Sequence, residues 1–481
     1  MPYEKAEAYI KKHQNRMLQD LFNFLSIPSL SKDSKERNGL YEAAEFLSTY
    51  LNSIGIPMVR WITFEDAAPI IYAERHQGSH LPTILIYGHY DVQPPGKLEE
   101  WCSPPFAPEI RGNCLYARGA SDDKGQLLTH LQALEAVIQT GRELPFNIKF
   151  LFEGEEEIGS PGLLALLSRV REARFVEIID EQGREHTLDL QADVVAISDT
   201  PFLFENQPAL CIGTRGLCGI EITVHGPAQD LHSGGYGGLV ENPLHALSAM
   251  IHSLHNVDGS IAVNGFYNDI ASIPNEIRSI IQQTSPSEEL LLQQLGVPAL
   301  YGEAGYTPLE RIWIRPSLEV NRMYGGDIGS SPRTIIPSVA HATVTVRLAL
   351  GQNPAHIADI IQKHLMSKAP STVRVNTKLL DQCWAWMADV SHTAYAHALQ
   401  ALAYGFGKEA TFIQMGGSIP VLAHFSEHLQ AQVVLLGFGL PSDNIHSANE
   451  NFSLSQREQG LRTLVAYYQT PWPPVEKGSC L

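Results

Sequence analysis

Hydrophobic positions recur with the period of a helix through the first fifty residues. Leu18, Leu21, Phe22 and Leu25 keep that spacing until Ile27-Pro28 interrupts it, and Tyr41, Ala44, Phe46, Leu47 and Leu51 carry it on to Gly55. Short apolar runs then predict strands over residues 59–63 and 70–73. Four later runs share one layout, an apolar strand that leads into a metal-ligating or acid/base side chain. They are TILIYGHYD (83–91), NIKFLFEGEEEIG (147–159), ADVVAISD (192–199) and VVLLGFGLPSDNIH (433–446). The TILIYGHYD run is apolar on both faces, as a strand covered by helices must be. Helical periods lie between these runs, at Leu127, Leu128, Leu131, Leu134, Val137 and Ile138, and in SPGLLALLSRVRE.

From Arg215 the texture changes. GLCGIEITVHG and HATVTVRLAL alternate apolar and polar residues, which marks an antiparallel sheet with one wet face. Two helical stretches accompany them, PLHALSAMIHSLHN and NPAHIADIIQKHLMSK, the second with Asn353 as its cap and Pro354 in its first turn. The first texture returns near Trp384: a helix ends at Gly405 and Gly407, MGGSIPV is a turn, VVLLGFG a strand, and a closing helix precedes a loose, Pro-rich tail from Thr470. The expected fold is therefore α/β, a mostly parallel-sheet catalytic domain (1–213 and 384–481) with helices on both faces, interrupted by an inserted α+β domain (214–383). Open α/β sheets bind ligands at the carboxyl ends of their strands, so the four chemical runs point into one crevice.

A chain of 481 residues is too long for one ordinary core, in keeping with two domains. Its 44% hydrophobic and 18% charged residues suit a soluble globular protein, and a net charge of −18 argues against nucleic acid or an anionic membrane surface as partner. The N-terminal stretch carries charges throughout and lacks the apolar core of a signal peptide, and no apolar run reaches the ~20 residues a membrane span needs. Six scattered cysteines form no Cys-x-x-Cys pair, which suggests neither a zinc ribbon nor a disulfide framework. A cytoplasmic location is expected.

The candidate chemistry follows from residue types at the run ends. His89 and Asp91 lie two apart, so the aspartate can take the second ring N–H of a ligand histidine and fix its tautomer. Asp122-Asp123 stands before a helix; a cap needs one carboxylate, and the other is available to bridge two cations. Asp199 closes ADVVAISD and His446 closes the last run. Histidines mixed with carboxylates suit zinc, manganese or cobalt better than calcium. Five ligands, His89, Asp122, Glu157, Asp199 and His446, exceed the needs of one catalytic zinc and suffice for two ions if one carboxylate bridges. Such a pair can hold a hydroxide and polarise a carbonyl, leaving Glu156 to move the proton of the attacking water. The glycine-rich DLHSGGYGG around His232 lacks the register of a phosphate loop.

GHYDVQP, ASDDKG, EGEEEIGS, ISDT, DLHSGGYGG, GGSIP and NIHSANE, in this order, resemble the di-metal aminopeptidase/aminoacylase/carboxypeptidase superfamily, and within it the carnosine-dipeptidase-like branch of nonspecific dipeptidases. The resemblance covers nearly the whole chain, including LGVPALYGEAGYTPLERIWIRPSLEVN, which is like that branch. It implies His89 and Asp199 on one metal, Glu157 and His446 on the other, Asp122 bridging, Asp91 orienting its histidine and Glu156 as general base. Zinc is the first expectation for the two divalent ions, with manganese or cobalt as alternatives. The resemblance also implies a lid domain that dimerises and brings His232 to the substrate carbonyl of the neighbouring subunit, with Thr334, Arg347 and Ser418 near the substrate carboxylate. The implied activity is hydrolysis of dipeptides or short peptides with a free C-terminal carboxylate, the alternative being an N-acyl-amino-acid deacylase or carboxypeptidase. One departure bears on substrate preference: Gln414-Met415 stands where the family often has a charged pair.

Overall fold

The apolar run at residue 83 becomes the strand Thr83–His89, paired in parallel on one side with Asn147–Glu153 and on the other with Val194–Ile197, which in turn pairs in parallel with Gln432–Leu435. These are the strands of the four chemical runs. The computed structural model describes residues 3–32, 37–170, 174–179, 184–327, 329 and 333–472, and these four strands form a parallel centre. Met58–Ile62 and Ile70–Arg75 add to one edge antiparallel, and Ala209–Thr214 pairs antiparallel with Gln432–Leu435 on the other. The class is α/β as expected, with a mixed sheet: its central neighbours are parallel and need crossover connections, and antiparallel strands flank them on both sides.

Helices cover both faces, and adjacent residues of one strand show it. Successive side chains point to opposite sides of a sheet. Tyr87 meets Phe425 of the helix Val421–Leu429, edge to face with ring centres 5.1 Å apart. A methyl group added to Gly88, next in line, would fall 2.8 Å from Leu127 of the helix Lys124–Gln139. Gly88 thus lets a helix approach the strand just before His89. Gly125 serves the neighbouring loop in the same way, since a methyl group there would lie 1.9 Å from the carbonyl oxygen of Ala120.

The chain divides into two compact units, Met1–Ile212 with Ala388–Ile413 and His424–Leu481, and Gly213–Met387 with Gln414–Ala423. The second unit contains a four-stranded antiparallel sheet in the order Ser317–Gly325, Val339–Leu348, Gly216–His225, Arg374–Cys383. Its alternation buries Cys218, Ile220, Ile222 and Val224, and Val344 and Val346, against Leu247 and Met250 of Pro243–His252 and Ile357 and Ile361 of Pro354–Lys368. Asn242 and Asn353 cap these helices, their side chains accepting from backbone N–H groups at 2.9–3.1 Å, each followed by proline. Residues 414–423 join this unit, although they follow the point where the first texture resumes in sequence.

The first two helices are Glu4–Leu25 and Arg37–Ser53, and the closing one is Leu454–Gln469. The helix in SPGLLALLSRVRE spans only Pro161–Leu167, and part of that stretch lies outside the described residues, as does the tail beyond residue 472. Periodicity did not indicate the strand pair Phe175–Ile179 and Glu185–Asp189, or the helices Asn275–Thr284, Glu288–Leu295 and Pro308–Trp313.

Candidate metal centre

His89 ends its strand fully buried. Its Nδ1 lies 3.1 Å from the Asp91 carbonyl oxygen and 3.4 Å from Asp91 Oδ1, and its Nε2 lies 3.1 Å from Asp122 Oδ1 and 3.8 Å from Asp199 Oδ2. Nε2 has no aligned hydrogen bond despite its burial. A buried ring nitrogen facing carboxylate oxygens without a bond to any of them is placed for a cation between them. The other oxygen of Asp122 is 2.8 Å from His446 Nε2, which lies 3.4 Å from Glu157 Oε2. The five expected ligands therefore form two groups, His89/Asp122/Asp199 and Asp122/Glu157/His446, each with its donor atoms within 4.8 Å of one another and both containing Asp122. The donor set fits two borderline divalent cations sharing one carboxylate.

Local geometry explains the reach of each side chain. Glu156–Ile158 forms one 3-10 turn after the Asn147–Glu153 strand. The Asp91 carboxylate accepts from the backbone N–H groups of Glu156 at 3.2 Å and Glu157 at 3.1 Å. One aspartate thus holds both the histidine and the turn that presents the two glutamates. Within the run Glu153, Glu155, Glu156 and Glu157 the roles separate by direction. Glu153 accepts from Tyr87 and Ser160 hydroxyls, and Glu155 from the N–H groups of Ala68 and Gly162, so both are structural. Gln93 Nε2 donates to Glu157 Oε2 at 2.5 Å. Asp123 occupies the N-cap position of Lys124–Gln139 without capping it; its carboxylate accepts instead from the His89 N–H at 3.3 Å.

His446 is placed differently from the expectation. Its strand ends at Leu435, and residues 436–445 intervene, including the 3-10 turn Pro441–Asp443. Asn444, His446 and Asn449 all adopt left-handed backbone (φ 55°, 60° and 60°), so a loop, not a strand end, delivers the histidine. Two residues missed by the sequence reading fix this loop. Glu450, fully buried, accepts from Arg118 Nη1 at 2.6 Å and from the backbone N–H groups of Gly119, Ser121 and Asp122 at 3.0–3.1 Å. Arg118 Nη2 also donates to the carbonyls of Ser447 and Pro94. Both lie inside or beside quoted motifs, NIHSANE and ASDDKG, but nothing in their spacing pairs them.

The second unit holds the other four predicted residues, in two pairs. Arg347 Nη1 donates to Ser418 Oγ at 2.8 Å, on the sheet face opposite the helices, and burial lowers its pKa. His232 and Thr334 are both exposed, His232 on the strand Leu231–His232 and Thr334 just before its partner strand Ile335–Ile336: His232 Nδ1 accepts from Gly234 N–H at 3.0 Å, and the Thr334 carbonyl from Ser233 N–H. Gln414 is a buried packing residue, its Oε1 2.9 Å from where a Gly213 side chain would begin.

Residues 85–470 match peptidase family M20/M25/M40. The chain belongs to that family and is a metallopeptidase. It is 30% identical over 483 residues to the Cys-Gly metallodipeptidase dug1 of Schizosaccharomyces pombe, covering 97% of this chain and 98% of that one, and 29% identical over 480 residues to the Beta-Ala-His dipeptidase of Rattus norvegicus, covering 97% and 94%. The solved structure of the dipeptidase Dug1p from Saccharomyces cerevisiae superposes with a TM-score of 0.82 at 27% identity, covering 97% of this chain and 98% of that one.

Protonation in the metal-free centre yields a test. Burial, reinforced by the Asp122 charge, pushes Glu157 up to about 7, and burial lifts Glu156 and Asp199 well above the carboxylate range. Burial alone would lower His89, but Asp122 and Asp91 outweigh it and raise its pKa well above 6.5. Each of these groups holds its proton more tightly folded than unfolded, so the folded state binds more protons and stability falls as pH rises through the window. Asp122, shifted the opposite way by its two histidines against the effect of burial, acts only below the ordinary aspartate range. Metal-free protein should therefore lose thermal stability between about pH 5 and 8. Added zinc, manganese or cobalt should stabilise it more at pH 8 than at pH 5, because binding displaces those protons. A metal-induced Tm rise independent of pH would exclude these carboxylates and His89 as ligands.

Proposed function

We propose that the protein hydrolyses the peptide bond of dipeptides, or of short peptides with a free C-terminal carboxylate. The observation that carries this reading is the pair of ligand groups sharing Asp122, with Glu156 beside them and left out of both. His89 and Asp199 would hold one divalent ion, Glu157 and His446 the other, and Asp122 would join them. When bound, such ions polarise the substrate carbonyl and make water a nucleophile at neutral pH. Zinc is our first assignment, with manganese or cobalt as alternatives, since ligands of this kind accept all three.

The chain's own groups carry the remaining steps. Asp91, accepting from the N–H groups of Glu156 and Glu157, holds the turn that aims both glutamates. The Glu156 carboxylate takes the proton of the attacking water and delivers it to the leaving amine nitrogen. Its pKa, lifted by burial and by the Asp122 and Glu157 charges, falls again when cations neutralise those neighbours, which leaves a base able to take and return a proton. The Arg347 guanidinium, steadied by Ser418 with Thr334 in the same substrate-binding set, grips the substrate carboxylate. The similarity to metallodipeptidases also supports a lid role for the second unit and a homodimer, in which His232 of the partner subunit donates to the substrate carbonyl. A cytoplasmic location belongs to the same reading, testable by cell fractionation. Cys102, Cys114, Cys218 and Cys383 form no disulfide, and no described helix is long and apolar enough to cross a membrane.

Three outcomes test this reading. Free-acid dipeptides should exceed their C-terminal amides in kcat/KM by at least about tenfold, the low end for a lost hydrogen bond to a charged group, and Arg347→Ala should close that gap. Equal turnover of acid and amide by the unaltered enzyme would refute carboxylate recognition, and preference for acetyl-amino acids would move the reading to a deacylase. Glu156→Gln should keep its metal content while kcat falls about 10²–10⁴-fold, whereas Glu157→Gln should lose metal; the reverse pattern would shift the assignment by one residue. Finally, His232→Ala and Glu156→Gln enzymes, each inactive alone, should regain about a quarter of wild-type activity when their subunits exchange. Half the dimers are then hybrids, each with one complete site, given the near-null variants expected for loss of an oxyanion donor or base. Exchange without recovery would show that His232 does not serve a partner.

A further inference from the structure

The helix Val421–Leu429 carries a second arrangement of metal-ligating side chains, HFSEH, that belongs to neither group of the centre. His424 and His428 are one turn apart, at the i, i+4 spacing that places two side chains on the same helix face. Their rings stand nearly parallel, 6° apart in plane, with centroids 5.7 Å apart. Glu427 precedes the second histidine, and one nitrogen from each ring and one oxygen of Glu427 lie within 4.8 Å of each other. Both histidines are partly buried and Glu427 is exposed, so the ligand atoms are held from the protein side and open to solvent on the other. His428 lies in the helix's last turn, where the carbonyl end of the helix dipole favours a cation.

We propose that His424, Glu427 and His428 form a third metal site, for a divalent d-block ion that prefers imidazole, such as zinc or copper. Two histidines at this spacing on one helix face bind zinc in other proteins, and the Glu427 carboxylate, with an oxygen within 4.8 Å of both ring nitrogens, completes a three-donor set with the remaining positions left to water. Magnesium and calcium, which take oxygen ligands, are excluded from it. The site is weaker than the centre because it has three donors on one helix and stands open to water. Its ion fastens successive turns of the helix that follows directly on the Ser418 segment, so occupancy adds to the stability of that helix.

The test uses the enzyme with its centre already loaded, titrated with zinc by equilibrium dialysis and with copper by electron paramagnetic resonance. Wild type should take up one ion per chain more than His424→Ala/His428→Ala, and its copper spectrum should show nitrogen coupling that the double variant lacks. Both proteins should hydrolyse a dipeptide equally in the absence of added metal. Because the double variant removes two partly buried rings, the single His428→Gln, which keeps a polar side chain on the helix, provides an independent reading. It should weaken the extra ion by more than about tenfold, since loss of even an outer-shell partner costs 10–100-fold. Equal uptake by wild type and double variant, or unchanged affinity in His428→Gln, would overturn the site.

Discussion

The structure depends on how a crowded set of buried carboxylates is kept from destroying the fold. Asp122, Glu156, Glu157 and Asp199 converge on His89 and His446, with Asp91, Asp123 and Glu153 close behind. Two unit charges about 4 Å apart interact by roughly 4 kcal/mol even at an effective dielectric near 20, while a whole domain is stable by only about 5–15 kcal/mol. Several unpaired carboxylates cannot coexist here as bare anions. Without cations they retain protons, which is the direction in which Glu156, Glu157 and Asp199 are displaced. Divalent ions resolve the same conflict by supplying positive charge between the oxygens. The centre's need for metal and its chemistry thus share one cause.

Several acids outside the two candidate ligand groups are neutralised by protein groups. Asp91 is held by two backbone N–H groups, Glu155 by two others, and Glu450 by three together with the Arg118 guanidinium. Removing one partner of such a buried pair leaves a charge stranded, a loss of about 3–5 kcal/mol. These bonds also tie the loop after Thr83–His89 to the turn that carries Glu156 and Glu157, and the loop before Lys124–Gln139 to the loop carrying His446. The geometry of the centre is therefore set in part by residues that belong to neither candidate ligand group.

The second unit follows another logic. Its alternating strands bury one face under two helices and leave the other polar, and Arg347 rises from that polar face, where among the described residues it donates to Ser418 Oγ and to no carboxylate. Burial already lowers its affinity for its proton, a cost that a bound carboxylate would offset. The proposed role in gripping the free end of a peptide rests on this incomplete pairing and on the similarity to metallodipeptidases.

Much of this was legible in the chain itself. Apolar runs followed by ligands marked the four parallel strands, because a strand buried on both faces must be apolar throughout and its end is where a polar side chain first becomes tolerable. Alternation marked the inserted sheet, because one of its faces is wet. Local sequence could not decide how the edges of the first sheet pair, nor that His446 comes from a left-handed loop eleven residues beyond the end of its strand. It could not rank the four glutamates of GEEEIG and its preceding strand by what each one faces, nor pair Arg118 with Glu450 across 331 intervening residues. Each of these turns on where a side chain points after distant segments have packed, and periodicity reports only which side of its own element a residue occupies.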